Sequence, residues 1–371
     1  MNFDIIIIGA GPSGLCMAQA LSGHGLQIAL IERAPMATIQ QPPFDGRHIG
    51  LSQRSVQTMR DLGVWSHINP NALAPLKDAK IINGPATFTM FAEHQDGHTN
   101  ELGWYIPNNL IRQAAYDAVK ESIEKNNDIS IFCDHEFKKI LHAGQYIGIE
   151  TTSDTSEKPA TRQFQARLLL AADSRFSVTR TAAGISADKI DFQHSMLVCE
   201  MTHAKPINYI ALQRFQHHQQ LSLLPMNNDP ATGLPRSSVA LNLPSDLAAL
   251  LMHMTEEAFN QEVSSRFEQV VGSMQLTSTR HIYPLFGVYP HRLVAHRFAC
   301  VGDAAVGMHP ITAYGFNFGL LSIKTLSAAI LRSKNNGEDI ASPLPLERYQ
   351  RHHQLATKLL YQISLAMANF D

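Results

Sequence analysis

The hexapeptide Gly9-Ala10-Gly11-Pro12-Ser13-Gly14 stands between an apolar run, Ile5 to Ile8, and a segment with apolar residues at helical spacing, Leu15, Ala18 and Leu21. A second β-rich run, Ile28 to Ile31, ends in Glu32, eighteen positions beyond Gly14. This order of strand, tight turn, helix, strand and acid holds the pyrophosphate of a dinucleotide. The three glycines do different things. Gly9 permits the turn, Gly11 lets the backbone approach phosphate, and Gly14 lets the helix sit close to the sheet. Unpaired N–H groups and the positive end of the helix dipole favour negative charge there. Glu32 is placed to accept hydrogen bonds from an adenosine ribose, with Pro12, Ser13 and Arg33 as neighbouring candidate contacts. A loop that merely turns the chain would leave Glu32 unexplained.

Further polar residues fall at the ends of other expected strands. Arg47 lies at the mouth of such a site, where a phosphate or ribityl contact and a solvated loop arginine fit its spacing equally well. Phe164 to Ala171 reads as a buried strand leading to Asp173, and ligands in open α/β sheets bind beyond the carboxyl ends of strands. Another strand, starting at Phe298, ends in Gly302-Asp303. The chain then runs through His309-Pro310 and Gly315-Phe316-Asn317 into a helix expected to reach about Leu331. Asp303 and a second helix N-terminus are thereby delivered to the same edge as the glycine loop. Two helix N-termini exceed what NAD requires but fit FAD, the first at the pyrophosphate and the second at the flavin pyrimidine, where reduced flavin carries negative charge.

The elements that position these residues alternate between helix and strand. A Pro- and Gln-rich stretch, 34–47, leads to a helical pattern through Val56, Met59 and Leu62, and β-type alternation follows from Leu76 to Phe91. A long helix is expected from Asn109 to Glu124 and a short strand from Ile129 to Cys133. From about Asp191 the texture changes to short strands at Met196–Met201, Ile210–Phe215, Leu221–Met226 and Ser238–Leu243, separated by Pro, Asn and Gly turns. They read as an inserted antiparallel sheet roofing a pocket, covered by one helix, Leu247 to Val271, before His281 to Leu285 return the chain to the first domain. The last segment carries Leu355, Leu359, Ile363, Met367 and Phe370 as a helical stripe, read as packing on the first domain or a sister subunit, with a membrane surface as the alternative.

Bulk properties narrow the function classes. The 371 residues, 44% of them apolar, suffice for two domains, and 30 basic residues against 32 acidic ones give no field directed at nucleic acid. The four cysteines, Cys16, Cys133, Cys199 and Cys300, form no CxxC pair, which fits reduced thiols in the cytoplasm. The 18 histidines include no HExxH-like spacing, so no metal is expected. The first residues already read as a core strand rather than a signal peptide, and no apolar run approaches the ~18 residues of a membrane span.

Three motifs carry a family resemblance: Gly9-x-Gly11-x-x-Gly14, Asp173-x-x-x-Ser177-x-x-Arg180, and Gly302-Asp303 with Pro310, Gly315, Asn317 and Gly319. They resemble those of the class A flavin monooxygenases related to p-hydroxybenzoate hydroxylase. Tyr283-Pro284-Leu285 and Leu224-Pro225 resemble the ubiquinone-biosynthesis branch. Phe44-Asp45-Gly46-Arg47, the run Pro107 to Arg112 and Val306-Gly307-Met308-His309-Pro310 resemble its 5-demethoxyubiquinol 5-hydroxylase type. The resemblance implies an α/β FAD-binding domain (1–75, 105–187 and 282–335), an antiparallel-sheet substrate domain (76–104 and 188–281) and a C-terminal helical segment (336–371).

It also implies FAD reduced by transient NAD(P)H, and O2 forming a C4a-hydroperoxide that hydroxylates a polyprenyl-phenol or quinol. Arg47 and Asp303 would hold the phosphate and ribityl chain. Asp173 and Arg180 would serve the pyrophosphate side and the approach of nicotinamide. Pro310 would sit beside the reacting carbon, Asn317 at the flavin pyrimidine, and Asn108 where Arg or Gln often contacts FAD. Ser174, Val306 and Ala313 depart from the family pattern. His309, beside the flavin-facing proline, is an even choice between catalytic and structural roles, whereas Tyr209, Tyr283, His217 and His281 read as structural. A flavin dehydrogenase or reductase, or a non-catalytic flavoprotein serving assembly, remains open as an alternative, as do a homodimer and contact with the inner membrane.

Overall fold

The computed structural model describes residues 1–83, 86–90, 101–153, 160–216, 219–309 and 314–368. Ile5, Ile6 and Ile7 are fully buried because the strand Asn2–Ile8 runs inside a sheet, with Ile28–Ile31 on one side and Ala160–Ala171 on the other. A strand covered on both faces reads as a continuous apolar run rather than an alternation. The sheet order is Val294–Ala295, Phe298–Cys300, Ala160–Ala171, Asn2–Ile8, Ile28–Ile31, Ile129–Phe132, and all but the first edge pair are parallel. The glycine loop leaves the sheet between neighbours on opposite sides, at a topological switch point. Helices Pro12–Leu21, Asn108–Asn126 and Gly315–Asn335 contribute to its core.

One part of this sheet has no counterpart among the expected elements. A hairpin, Glu136–Ala143 with Tyr146–Ser153, pairs antiparallel to the first half of Ala160–Ala171, turning at Gly144 with φ +58°. That half extends beyond its parallel neighbours, and the hairpin covers an edge that would otherwise be open.

The second sheet has the order Met274–Leu276, Ala187–His203, Arg236–Pro244, Gln219–Pro225, Ile210–Gln216, Asp78–Asn83, Ala86–Met90. Its apolar face repeats with period two: Leu197, Cys199 and Met201, then Leu221 and Leu223, then Val239, Leu241 and Leu243, each at most 2% exposed. Burial of each large aliphatic side chain contributes roughly 1.5–3 kcal/mol. The covering helix is two helices, Ser245–His253 and Glu256–Val271. Met254 is extended, and the Thr255 hydroxyl accepts from Ala258 N at 3.4 Å, so a Thr cap followed by Glu256 and Glu257 starts the second helix.

The strand expected to bring the chain back at residue 282 stays in this sheet. His281–Pro290 pairs with Ala187–His203 from Val198↔His281 to Ala187↔Pro290, around a register shift between Asp191 and Ser195. A three-stranded antiparallel sheet, His48–Ser52, Gly103–Pro107 and Ala74–Leu76, meets the second sheet where Tyr105 packs in one cluster with Ala211 and Leu224.

The C-terminal helix Pro343–Ala368 packs through a different face from the one expected. Leu346, Tyr349, His353, Thr357 and Tyr361 are at most 5% exposed, whereas Leu355 is 83%, Leu359 68% and Ile363 42% exposed. The Tyr349 hydroxyl donates to Cys300 O at 2.6 Å and anchors the helix's phase on the core. The Met367 side chain and Phe370 lie outside the described residues. Among the described residues, no helix is long and apolar enough to cross a membrane.

Candidate active site

The three motif glycines meet distinct steric demands. Gly9 has φ +103°, and a Cβ there would lie 2.6 Å from Ala172 O; one on Gly14 would lie 1.9 Å from Gly9 O. Around Gly11 a Cβ would meet nothing within 4 Å. Two of the three positions are therefore closed by the protein's own backbone, while Gly11 faces open space. Gly11 caps Pro12–Leu21 without a side-chain hydrogen bond, and Pro12 is its first residue, so no side chain occupies the N-terminal amides. This is a cradle that fits a pyrophosphate.

The other motifs converge on the same helix. A Cβ on Gly302, whose φ is +61°, would lie 2.5 Å from Ser13 Oγ, and one on Gly319 would lie 3.2 Å from that atom. The helix Gly315–Asn335 starts from Tyr314, again without a side-chain cap, so Gly315 and Phe316 occupy an open first turn. Asn317 sits in that turn, but its amide faces the small sheet: Oδ1 accepts from Ser52 N at 2.9 Å and Nδ2 donates to Gly50 O at 2.8 Å. It clamps the helix to the strand His48–Ser52. Asp303 is 39% exposed at its side chain and accepts from Arg175 Nη2 at 3.3 Å.

Glu32 closes the loop from the strand side. Its Oε2 accepts from Ala10 N at 2.7 Å and its Oε1 from Ala34 N at 2.8 Å, leaving lone pairs on both oxygens for a further donor. Arg33 beside it is exposed.

Arg47 belongs to a cluster that motif spacing alone does not resolve. Asp45 Oδ2 accepts from Arg47 Nη2 at 2.6 Å and from Asn108 Nδ2 at 2.8 Å. The Tyr283 hydroxyl donates to Asp45 O at 2.7 Å, with its ring 5.1 Å from the Arg47 guanidinium carbon. Burial pushes the Asp45 carboxyl up, but Arg47 and Asn108 outweigh it and hold the group below the usual carboxylate range. Arg47 is thus neither a free loop cation nor a lone ligand contact. Asp45 orients it, a role that the Asp-x-Arg spacing signals.

Asp173 and Arg180 face protein rather than open space. Asp173 accepts from Ser177 Oγ at 2.5 Å and from Thr179 N and Oγ1 at 3.1 and 2.9 Å, capping Val178–Ala182. Arg180 is 1% exposed and donates to Arg175 O and Ala304 O at 3.1 and 3.0 Å, with burial lowering its pKa. A guanidinium enclosed in this way joins the Asp173 turn to the Gly302 turn through Arg175 O and Ala304 O. Ser174, where the family has Gly, has φ +83°, a conformation that Gly adopts without strain.

His309 is 1% exposed, its ring edge-on to Phe192 at 4.6 Å between centroids. Burial, with His194 and Arg175 nearby, pushes its pKa down to about 4, so the ring is neutral at physiological pH. Pro310 and His217 lie outside the described residues. Tyr209 donates to Asn227 Oδ1 at 3.4 Å, and His281 Nε2 is 2.9 Å from Thr279 Oγ1. Arg175, which joins Asp303 to Phe286 O, is the residue missed within a recognised motif.

Residues 2–360 match the FAD binding domain family. Ubiquinone hydroxylase UbiM of Neisseria meningitidis is 36% identical over 97% of this chain and 76% of its own length. The 3-demethoxyubiquinol 3-hydroxylase of Escherichia coli is 24% identical over 94% of the chain and 84% of its own length. In fold, the chain is similar to p-nitrophenol 4-monooxygenase PnpA of Pseudomonas putida, with TM-score 0.76 and 15% identity over 99% of this chain and 88% of the other. Pseudomonas aeruginosa PqsL, in complex with 2-aminobenzoylacetate, likewise gives TM-score 0.76 at 18% identity over 99% and 96%. With uncapped amides at Gly11 and at the start of Gly315–Asn335 drawn together by Ser13, Gly302 and Gly319, and with that match spanning nearly the whole chain, the protein belongs to the FAD binding domain family of class A flavin hydroxylases.

Proposed function

We propose that this enzyme hydroxylates the aromatic ring of a polyprenyl-phenol or quinol intermediate of ubiquinone biosynthesis, consuming NAD(P)H and O2. The observation that carries the reading is the pair of uncapped helix N-termini joined through Ser13. Bound FAD would supply electron transfer from NAD(P)H and the activation of oxygen. The protein's own part is position, charge and dryness. Gly9, Gly11, Gly14 and Glu32 would hold the ADP half, Arg47 set by Asp45 and Asn108 would meet the phosphates and ribityl chain, and Asp303 would meet the ribityl hydroxyls. Amides at Gly315 to Asn317 would stabilise negative charge on the pyrimidine side. Pro310 would shape the space beside the reacting carbon, with His309 next to it in sequence.

The test is NADH oxidation and oxygen uptake by FAD-loaded protein with demethoxyubiquinol analogues, with product analysis in a bacterial strain lacking its quinone-ring hydroxylases. Ring hydroxylation with matched oxygen uptake is expected. Turnover without oxygen would assign a dehydrogenase, and no turnover in either condition an assembly partner. The higher identity to UbiM than to the demethoxyubiquinol hydroxylase leaves the ring position to that product analysis.

The exposed row Leu355, Leu359 and Ile363, preceded by Arg348, Arg351 and His352 and flanked by Lys358, supports peripheral contact with an anionic lipid surface, where a polyprenyl substrate resides. Flotation with anionic liposomes is expected to carry the wild type and leave Leu355→Ser/Leu359→Ser behind. Equal recovery in the soluble fraction would remove the contact, and a dimer dissociated by the same variant would assign the row to a sister subunit.

A further inference from the structure

The strand His281–Pro290 of the second sheet meets three loops that carry candidate cofactor residues. The Tyr283 hydroxyl donates to Asp45 O, next to the Arg47 guanidinium; Phe286 O accepts from Arg175 Nη1 at 3.2 Å; and Val288 exchanges both backbone hydrogen bonds with Gly307, at 2.8 and 2.9 Å. Arg175 carries its link onward. Its Nη2 donates to Asp303 Oδ2 at 3.3 Å, so one guanidinium ties a carboxylate of the site to the backbone of the second sheet.

Arg175 is set in place from several sides. Ser174 before it has φ +83°, the enclosed Arg180 donates to Arg175 O at 3.1 Å, and a Cβ on Gly307 would stand 2.6 Å from Arg175 Cβ. The loop at 307 thus closes on the base of the side chain. Beside it, the Phe176 ring stands edge-on to Phe286 with 5.2 Å between centroids. The Arg175 and Asp303 side chains are 28% and 39% exposed, and an ion pair open to water in this way contributes little to folding. Orientation is what the pair can provide, because the planar guanidinium presents its donors at fixed spacing. With Oδ2 held by Arg175, Asp303 Oδ1 lies 4.0 Å from the point that a Cβ on Gly315 would occupy, at the uncapped start of Gly315–Asn335. A carboxylate oxygen there is placed to accept from a ligand hydroxyl.

We propose that Arg175 is a positioning residue for the cofactor, anchoring Asp303 to the second sheet and so fixing the carboxylate oxygen that receives the ribityl hydroxyls. The assignment rests on the reading above that Asp303 meets the ribityl chain. Arg175 acts through Asp303 rather than by touching the ligand. Without it the carboxylate turns freely, and ordering it again on binding costs affinity.

The test is a double-mutant cycle on FAD affinity, read by flavin fluorescence on titration of apoprotein, with visible circular dichroism of the bound flavin as a second readout. Asp303→Ala and Arg175→Met are each expected to weaken FAD binding at least tenfold and to change the dichroism. In the Asp303→Ala background, Arg175→Met is expected to weaken binding less than twofold further, because the group it acts through is already gone. Arg175→Lys keeps the charge but not the fork that reaches Phe286 O and Asp303 together, and its affinity is expected between those of Arg175→Met and wild type. The same cycle is run with Arg175→Lys, so that a poorly folding methionine variant does not decide the outcome. An arginine that only holds the fold together would lower affinity by the same factor in both backgrounds, and that result would overturn the proposal. Wild-type affinity in Arg175→Met or Arg175→Lys would overturn it as well. Wild-type affinity in Asp303→Ala would instead overturn the ribityl reading, and this inference with it.

Discussion

The glycine loop and the buried polar face of the second sheet are built from opposite materials. In the loop the donors are backbone amides, and the side chains that matter are missing ones: Gly9 and Gly14 are pressed against backbone, and Gly11 is left open. On the polar face the groups are side chains, Glu200, His48 and Arg236, brought together from strands that begin 48, 187 and 236 residues into the chain. A backbone site depends on close backbone approach at a few positions, Gly14 against Gly9 within the loop and Gly9 against Ala172 just past the neighbouring strand. A side-chain site depends on the register of whole sheets, and it tolerates change at the neighbouring positions that face away.

The largest expected effect tests the steric half. Gly14→Ala puts a methyl 1.9 Å from Gly9 O, and a loss above about 3 kcal/mol, read as a collapse of folded yield and Tm, is expected. Near-wild-type Tm would mean that the helix is not pinned to its own loop.

On the second sheet, Leu241→Ala removes a fully buried side chain from the helix-covered face and is expected to cost about 2–5 kcal/mol in denaturant unfolding. Ser222→Ala on the opposite face should cost less than about 1.5 kcal/mol. Equal losses would erase the distinction between the faces.

His48, His309 and His353, each pushed down to about 4 by burial, link stability to pH. Below pH about 6.5 the unfolded chain takes up protons that the folded chain refuses until about pH 4. Stability is therefore complete above that window and falls on acidification through it, by up to about 1.4 kcal/mol per pH unit for each histidine. Calorimetric Tm between pH 7 and 5 should decline, and His353→Phe, at a site outside both regions, should flatten the decline. An unchanged slope would show that His353 does not contribute.

The smallest change in stability is expected at Gly11→Ala, within about 0.5 kcal/mol because nothing lies near the new methyl. FAD affinity, measured by flavin fluorescence on titration of apoprotein, should nonetheless fall at least tenfold. Retained affinity would place the pyrophosphate elsewhere.

Much of the first region is open to a reader of the sequence. The run Ile5 to Ile8, the glycine spacing and Glu32 act within one strand-turn-helix-strand unit, so pattern implies geometry. The period-two alternation of the second sheet is legible for the same local reason. The break at Thr255 is signalled by a cap and two acids, but the apolar pattern on both sides masks it. The hairpin at 136–153 is not legible, because its role is to cover an edge that exists only once Ala160–Ala171 has paired.

The dinucleotide cradle, the α/β alternation and the family motifs are readable from the residues alone, since they follow largely from sterics and periodicity over a few tens of residues. Folding was needed to show that Arg180 is enclosed, that Asn317 clamps a strand, that the last helix turns its leucines outward, and that His48, Glu200 and Arg236 line one cavity. Those outcomes depend on which surfaces meet across long loops, and a side chain's partners are fixed there by packing and desolvation rather than by its neighbours in the chain.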